Sequence, residues 1–228
     1  GSRLKIEAIK TSLLMLSSNG KVLEYAKPAA DRLVKRVLLV ASTDKDDTVR
    51  RTCVSLLADP EAQAFFPFLC RVENINLIVY LINDELLEVQ LMAVSILGVL
   101  ESWNPAYIKP LLREFLLQLL QEMKLALETE SVDWLKRKTA ILTEVVKSSS
   151  REMLTPFVDH ILHICKSRFS EEEDGTSSSM LTLVGELALV CGHLLSAHID
   201  ELILMLIEML KFQRSFSVER RVVLYRCF

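Results

Sequence analysis

Apolar residues recur along most of the chain with the spacing of one helix face. One broad stripe comprises Ile108, Leu111, Leu112, Phe115, Leu116, Leu119 and Leu120. Positions three and four residues apart lie on the same side of an α-helix, so such a run buries one face and exposes the other. The pattern therefore predicts long amphipathic helices as the main elements of the chain.

The predicted helices repeat at a regular distance. The segment Val49–Leu57 matches Val89–Leu97, so that Val54 corresponds to Val94, which lies 40 residues later. Further copies of this helix are centred on Ile9, Ala140, Leu181 and Val223. Successive copies are 40–46 residues apart, and we expect the first and last copies to be cut by the ends of the chain.

A second amphipathic helix precedes each copy, and prolines indicate where it begins. Proline suits the first turn of a helix because its φ angle is already helical and it has no N–H that would go unpaired. On this basis the first helix of successive hairpins begins near Pro28, Pro67, Pro110 and Pro156. Acidic or amide side chains between the two helices are expected to cap the second helix. They are Asp44, Asp46 and Asp47 in one hairpin and Asn83, Asp84 and Glu85 in the next.

Two helices per repeat of this length are typical of HEAT and armadillo arrays. The segment Asp47-Thr-Val-Arg50 also resembles the start of the second helix in HEAT repeats. A single hairpin cannot bury its apolar faces, so neighbouring hairpins must stack. The predicted fold class is all-α, an α-solenoid (superhelix) of about five HEAT-type antiparallel helical hairpins. Residues 1–228 are expected to form one array, with an expression scar at residues 1–2 and a truncated last repeat.

Composition narrows the class of protein. Hydrophobic residues make up 50% of the 228 residues and charged residues 25%, which excludes a disordered chain. The net charge of −3 provides no basic field for nucleic acid, so no nucleic-acid partner is expected. Five widely spaced cysteines without a C-x-x-C pair are typical of reduced core residues in an intracellular protein. The apolar runs look too short to span a bilayer, so no membrane insertion is expected.

One segment departs from the helical pattern. Residues 170–179 are acidic and then serine-rich, which predicts a surface loop. Such a loop can be simply solvated. Alternatively, it can be regulatory, because a phosphate added where the next helix begins would find unpaired N–H groups and the positive end of the helix dipole. The candidate phosphorylation sites are Ser177, Ser178 and Ser179.

The chain carries no recognised catalytic motif. Nucleotide-binding glycine loops, the zinc-protease H-E-x-x-H and the hydrolase G-x-S-x-G are all missing from the sequence. His160 and His163 are close enough on one helix to share a metal, but Cys165 falls on another face and no second cluster completes a ligand set. We therefore predict a non-catalytic chain with no metal and no cofactor.

Basic residues recur at the start of the second helices and could form a ladder that faces an acidic partner. The alternative is that each pairs with nearby acids or is simply solvated. These candidate partner-binding residues are Arg50, Arg51, Lys136, Arg137, Lys138, Arg220 and Arg221.

Two segments resemble the target of rapamycin (TOR) kinase family. The first is Asn83–Leu120, in which the matching positions are Asn83, Asp84, Glu88, Val89, Ala93, Gly98, Leu100, Asn104, Pro105, Ala106, Tyr107, Pro110 and Arg113. The second is Gly185–Leu202, in which they are Gly185, Glu186, Leu187, Ala188, Val190, Gly192, Asp200, Glu201 and Leu202. The acidic serine-rich loop departs from the family, whose animal members have a proline- and aspartate-rich loop there.

The resemblance implies a segment of the N-terminal HEAT solenoid of a serine/threonine kinase, with the catalytic parts elsewhere in the parent. It implies a cytoplasmic scaffold, whose parent can be recruited to endomembranes, that docks Raptor-like or Rictor-like accessory subunits in growth and nutrient signalling. The alternative is a HEAT scaffold of another kind, either a phosphatase scaffold subunit or a nuclear-transport receptor. The truncated array is also expected to be able to self-associate end to end.

Overall fold

The structure is a computed structural model that describes residues 1–18, 21–22, 24–129, 131–168 and 176–211. Two compact units, Gly1–Leu112 and Arg113–Phe228, divide the chain. Each unit contains its own packed helices. The prediction of one array over residues 1–228 stays a prediction.

The first unit is built from α-helices joined by short loops. In chain order they are α1 (Ser2–Leu16), α2 (Lys27–Thr43), α3 (Asp47–Ala58), α4 (Phe66–Leu69), α5 (Val72–Leu81), α6 (Leu87–Leu100) and the beginning of α7 (Pro105–Glu128). After α1, strand β1 (Ser17–Ser18) pairs with strand β2 (Lys21–Val22) in an antiparallel bridge. Short 3-10 helices at Glu24–Ala26 and Pro60–Phe65 precede α2 and α4.

Helices of the same kind stack on each other in this unit. The first helices α2 and α5 pack together, and the second helix α3 packs between α1 and α6. Val54 of α3 and Val94 of α6, which the sequence repeat equates, are both fully buried. Each such side chain contributes about 1.5–3 kcal/mol relative to full exposure. The register of the repeat is thus confirmed here.

The second unit continues α7 and adds five further helices in the part that the structure describes. They are α8 (Val132–Ser148), α9 (Arg151–Leu154), α10 (Val158–Arg168), α11 (Thr176–Leu195) and α12 (Ile199–Lys211). The second helix α11 packs against the second helix α8 and against its own first helix α10. Within the described residues the repeat therefore gives four complete hairpins, with α1 before them and α12 after them.

Only some of the four prolines lie where a helix begins. Pro28 and Pro67 lie in the first two positions of α2 and α4, as predicted. The prediction for Pro110 is wrong, because α7 begins at Pro105 and Pro110 lies inside it. Pro105 meets the same first-turn preference five residues earlier, and the apolar stripe alone does not define where a helix begins. Pro156 lies in a 3-10 turn just before α10.

The loops also differ in detail from expectation. Asp46 caps α3, with its side chain accepting a hydrogen bond from the Thr48 N–H. Asp84 does not cap α6; its Oδ1 accepts a hydrogen bond from the Leu86 N–H, 2.8 Å away, and so closes a turn before the helix. Helix α11 begins at Thr176, so the last four residues of the predicted loop 170–179 are helical. The rest of that loop lies outside the described residues.

Candidate protein-docking surface

The candidate basic ladder begins at the first turn of α3. Asp44 Oδ1 accepts a hydrogen bond from the Asp46 N–H at 3.0 Å, which folds the short loop between α2 and α3. Asp46 then caps the helix and also bonds to the Ser2 hydroxyl. Arg50 therefore lies on the side of α3 where this loop approaches the loop of the next hairpin.

Arg50 is almost buried and joins two successive hairpins. Its Nε donates to Asp84 Oδ2 at 3.1 Å and its Nη2 to Asp84 Oδ1 at 3.3 Å and to Glu85 Oε1 at 2.8 Å. Its Nη1 donates to the Asp44 carbonyl oxygen at 3.1 Å and pairs with Asp47 Oδ1 at 3.0 Å. The guanidinium is thus committed to contacts inside the chain.

The electrostatics of this cluster favour the charged forms. Burial alone would lower the pKa of Arg50, but hydrogen bonds and charges from Asp84, Glu85 and Asp47 outweigh burial and raise the pKa. The hydrogen bond from Lys5 is the largest cause that lowers the pKa of Asp44, followed by the Asp46 N–H. We name this group, formed by Arg50, Asp44, Asp47, Asp84 and Glu85, the Arg50 clamp.

Arg51 is more exposed and bridges the same two hairpins. Its Nη1 lies 2.9 Å from Glu88 Oε2 on α6. The hydrogen bond and charge of Glu88 raise the pKa of Arg51. Water screens exposed pairs of this kind, so a partner can break this contact at little cost.

The next basic group, residues 136–138, lies on α8 in the second unit. Lys138 Nζ pairs with Glu122 Oε2 of α7 at 2.5 Å. Burial would raise the pKa of Glu122, but hydrogen bonds from Lys138 and Gln118 lower it. Arg137 also has an interaction within the chain. Lys136 is half-buried and has no acidic partner among the described residues.

The remaining candidate residues differ in accessibility. Arg220 and Arg221 lie outside the described residues. Ser177 is buried in the first turn of α11, whereas Ser178 and Ser179 are half-buried. A kinase would therefore reach the latter two hydroxyls more easily than the first. All of these candidates stay predictions.

The structure gives a packing role to the segment that resembles TOR kinases most. Asn104 Nδ2 donates to the Cys70 carbonyl oxygen at 3.1 Å, and the Tyr107 hydroxyl donates to Asn76 Oδ1 at 3.0 Å. Trp103 meets Phe66 edge to face, with 6.1 Å between ring centroids. These side chains hold the start of α7 against the preceding hairpin. The repeat alone did not reveal this, because the contacts join residues about 30–40 positions apart.

Helix α11 contains a kink. Cys191 has non-helical backbone angles, φ −121° and ψ 22°. Just before the kink, the Val190 carbonyl oxygen accepts a hydrogen bond from Arg151 Nε of α9 at 3.0 Å. A backbone acceptor at the break in the helical ladder is thus satisfied by a side chain from a neighbouring helix. Sequence reasoning gave no indication of this contact.

The thiols and imidazoles do not form a reactive centre in the described residues. Burial raises the pKa of Cys53 and Cys70 to about 11 and that of Cys165 to about 12, so these thiols stay protonated at neutral pH. His198 Nε2 lies 3.0 Å from Asp159 Oδ1. The described residues contain no group of three or more His, Cys, Asp or Glu side chains suited to hold a metal ion.

One apolar segment is longer than expected from the sequence. By length and composition, Thr176–Leu204 could cross a membrane, which corrects the expectation that every apolar run is too short. Yet the segment is broken at Cys191 and by the 3-10 turn Ser196–His198. Helix α11 also packs against α8 and α10. The expected absence of membrane insertion stays a prediction.

Comparison with solved structures defines the fold class. The karyopherin Kap121p in a complex with Pho4p has a TM-score of 0.59 over 100% of this chain and 25% of its own, at 16% identity. A mutant of Kap121p has a TM-score of 0.58 over 86% of this chain and 18% of its own, at 17% identity. At this identity the likeness shows the fold alone. It confirms the predicted all-α solenoid of HEAT-type hairpins.

Comparison of sequences identifies the relatives. No family model matches the chain. TOR2 of Saccharomyces cerevisiae is 30% identical over 80% of this chain, and tor1 of Schizosaccharomyces pombe is 25% identical over 99%. TOR of Arabidopsis thaliana is 29% identical over 79%. The chain spans only 7–9% of the length of these serine/threonine kinases. The predicted resemblance is therefore confirmed, and the chain corresponds to a helical segment of the TOR kinase family.

Proposed function

We propose that the chain is a non-catalytic scaffold segment of a TOR-type serine/threonine kinase and that it docks accessory subunits of the Raptor or Rictor class. The observation that carries the proposal is the sequence similarity, which extends over most of the chain but less than a tenth of each kinase. A segment of this length made of stacked hairpins offers helix faces for binding. In the parent protein this segment positions the accessory subunits and takes no part in catalysis.

The basic residues on α8 are the most suitable part of the candidate ladder for an acidic partner. Arg50 is buried in its clamp, and binding a partner through it would require the loss of several ion pairs. Lys136 has no acidic partner among the described residues, and Lys138 gives up a single pair with Glu122. A partner with an acidic segment could therefore dock on Lys136 without breaking an ion pair among the described residues, and would compete with Glu122 for Lys138.

Cross-linking of the complex purified from its native cells tests this proposal. The full-length protein is captured through an antibody against residues 1–228 and cross-linked through lysines. We expect a co-purifying kinase domain on the same chain and cross-links from Lys136 or Lys138 to a second subunit. A captured chain without a kinase domain, or cross-links only within the chain, would contradict it.

A pair of substitutions on α8 makes the test specific. Lys136→Glu in the full-length protein is expected to reduce capture of the accessory subunit at least about tenfold, because an acidic partner meets a negative charge. The matched control is Lys147→Glu at the other end of the same helix, which pairs with Glu186 at 3.7 Å. Equal capture by wild type and both variants would exclude residues 136–138 as the docking surface.

A nuclear-transport receptor is the second candidate, which is favoured by the fold likeness to Kap121p. Solved structures show that karyopherin bound to Pho4p and to Nup53p. The two candidates predict different locations: cytoplasm with recruitment to endomembranes for a TOR-type parent, and the nuclear envelope for a receptor. Fluorescence imaging of the tagged full-length protein distinguishes them.

A further inference from the structure

Helices α8 and α11 of the second unit pack side by side and run in the same direction. In one contact the Thr139 hydroxyl of α8 lies 3.9 Å from Met180 Sδ of α11. About two turns further along, Lys147 Nζ lies 3.7 Å from Glu186 Oε1. Because the second contact lies further along both helices, the two helices are parallel and nearly in register.

The pair of Lys147 and Glu186 lies on one side of this helix–helix interface, and both of its side chains are partly exposed. Residues separated by about two or three whole turns lie on the same side of an α-helix. Lys136 lies about three turns before Lys147, and Ser179 lies about two turns before Glu186. Lys136 of α8 and Ser179 of α11 therefore lie on the same side of the interface as the ion pair.

Lys136 and Ser179 are close enough to be joined through a phosphate group. The register set by the two contacts places Lys136 within about one turn of the level of Ser179 along the helix axes. The axes of packed helices are about 8–10 Å apart. An extended lysine side chain on one helix and a phosphorylated serine on the other can together span this gap.

Exposure and position distinguish Ser179 from the two serines before it. Lys136 and Ser179 are both half-buried, and Lys136 has no acidic partner among the described residues. Ser177 is buried, and Ser178 lies about 100° around the helix from Ser179. Of the three serines, Ser179 is therefore the one that is both accessible and on the side of the ion pair. The four acids at residues 171–174 also suit a kinase whose peptide groove is basic.

We propose that Ser179 is a phosphorylation site and that its phosphate pairs with Lys136 of α8. A protein kinase transfers the γ-phosphoryl group of ATP to the serine. A bond forms between Ser179 Oγ and the γ-phosphorus, the bond from that phosphorus to the oxygen of the departing ADP breaks, and the hydroxyl proton passes to a basic group of the kinase. The attached phosphate carries a charge of about −1.5 to −2 at pH 7. It binds the ammonium group of Lys136 by a charge-assisted hydrogen bond.

The modification regulates the docking of an accessory subunit, and this step rests on the function proposed above. An acidic partner on residues 136–138 uses the charge of Lys136, which the phosphate of Ser179 neutralises. Because the phosphate belongs to the same chain, its effective concentration at Lys136 exceeds that of a separate partner. Phosphorylation of Ser179 therefore releases the subunit, and removal of the phosphate restores docking.

A titration of the 228-residue chain tests the pairing without any partner. Phosphoserine is incorporated at position 179, and the second pKa of its phosphate is measured by phosphorus NMR in wild type, Lys136→Met and Lys147→Met. A nearby opposite charge favours the doubly charged phosphate. We expect this pKa to be about half a unit lower in wild type and in the Lys147→Met control than in Lys136→Met. Equal pKa values in three chains with the same helix content by circular dichroism would overturn the proposal.

Protein from native cells provides the second test. The full-length protein is separated into chains bound to an accessory subunit and chains free of it, and Ser179 is analysed by mass spectrometry in both pools. We expect the phosphorylated fraction to be at least about tenfold lower in the bound pool. An unphosphorylated Ser179 in both pools would overturn the proposal.

The two tests separate this proposal from the docking surface. If the phosphate pairs with Lys136 but the phosphorylated fraction is equal in both pools, the docking surface on residues 136–138 is wrong and the modification site is supported. If the pairing is absent while Lys136→Glu still reduces capture of the subunit, the docking surface is supported and the proposal for Ser179 is overturned.

Discussion

Replacing Arg50 should destabilise the first unit far more than replacing its neighbour Arg51. The perturbation is Arg50→Met, which keeps the aliphatic part of the side chain and removes the guanidinium. The control is Arg51→Met, which removes an equal charge one residue later on the same helix. The two arginines contact the same pair of hairpins, so the comparison isolates the effect of burial.

The expected magnitude follows from the partners of Arg50. The side chain of Asp84 is only 10% exposed, and after the substitution it retains the Leu86 N–H but loses both bonds to the guanidinium. Glu85 and Asp47 are exposed and return to water, so their pairs contribute little. The substitution loses the buried charge-assisted hydrogen bonds but also removes the desolvation penalty of the Arg50 guanidinium. The net loss of stability is about 3 kcal/mol. Arg51→Met should cost much less, because its pair with Glu88 is exposed and screened by water.

Urea denaturation followed by far-UV circular dichroism measures the total effect. Hydrogen exchange of α3 and α6 amides measures the effect in the first unit alone, which matters because a chain with two units need not unfold in one step. A double-mutant cycle of Arg50→Met with Asp84→Asn should give a coupling of about 1 kcal/mol or more. The reasoning is refuted if Arg50→Met and Arg51→Met lower stability equally.

Other measurements address the rest of the described chain. Arg151→Gln should speed hydrogen exchange around the α11 kink and cost about 1 kcal/mol, since the Val190 carbonyl oxygen loses its donor; unchanged exchange there would show that the kink needs no support. The hydrogen bond from Lys5 lowers the pKa of Asp44 below its ordinary value of 3.8. The ionised carboxylate of Asp44 therefore stabilises the folded state at pH values above 3.8, and this stabilisation is lost as the pH falls through the lower pKa of the folded protein. Lys5→Met should therefore make the urea midpoint less sensitive to acid in this range, and an identical pH profile would contradict it. The Cys165 thiol, whose pKa burial raises to about 12, should resist alkylation at neutral pH until urea unfolds the chain; rapid labelling of the native protein would be inconsistent with its burial.

The sequence repeat was sufficient to predict the fold, because stacked hairpins place the same kind of residue at the same position in each copy. Val54 and Val94 are buried in the first unit for this reason, and Leu181 is buried in the second. The start of α7 was misplaced because two prolines, Pro105 and Pro110, satisfy the same local preference. Only contacts with the preceding hairpin distinguish them.

The role of Arg50 could not be predicted from its own neighbourhood in the sequence. Its interpretation as a partner-binding residue rested on the recurrence of basic residues at the starts of the second helices, and the alternative considered only nearby acids, whereas its main acceptor, Asp84, lies 34 residues away. One signal was present in the repeat: Asp44 and Asp84 are separated by 40 residues, the same distance as Val54 and Val94. A polar residue that recurs at the same distance as the buried apolar residues indicates a contact between repeats. The periodicity of charged residues is therefore as informative as that of apolar residues.

The Arg50 clamp also bears on how hairpins can be exchanged between proteins of this class. Its donor belongs to the hairpin of α2 and α3, but its main side-chain acceptor is supplied by the loop before α6. A hairpin transplanted without the loop that follows in the next repeat would carry a buried guanidinium with half of its acceptors missing. The natural module for shuffling or design is therefore cut through the middle of a hairpin, so that Arg50 and Asp84 are inherited together.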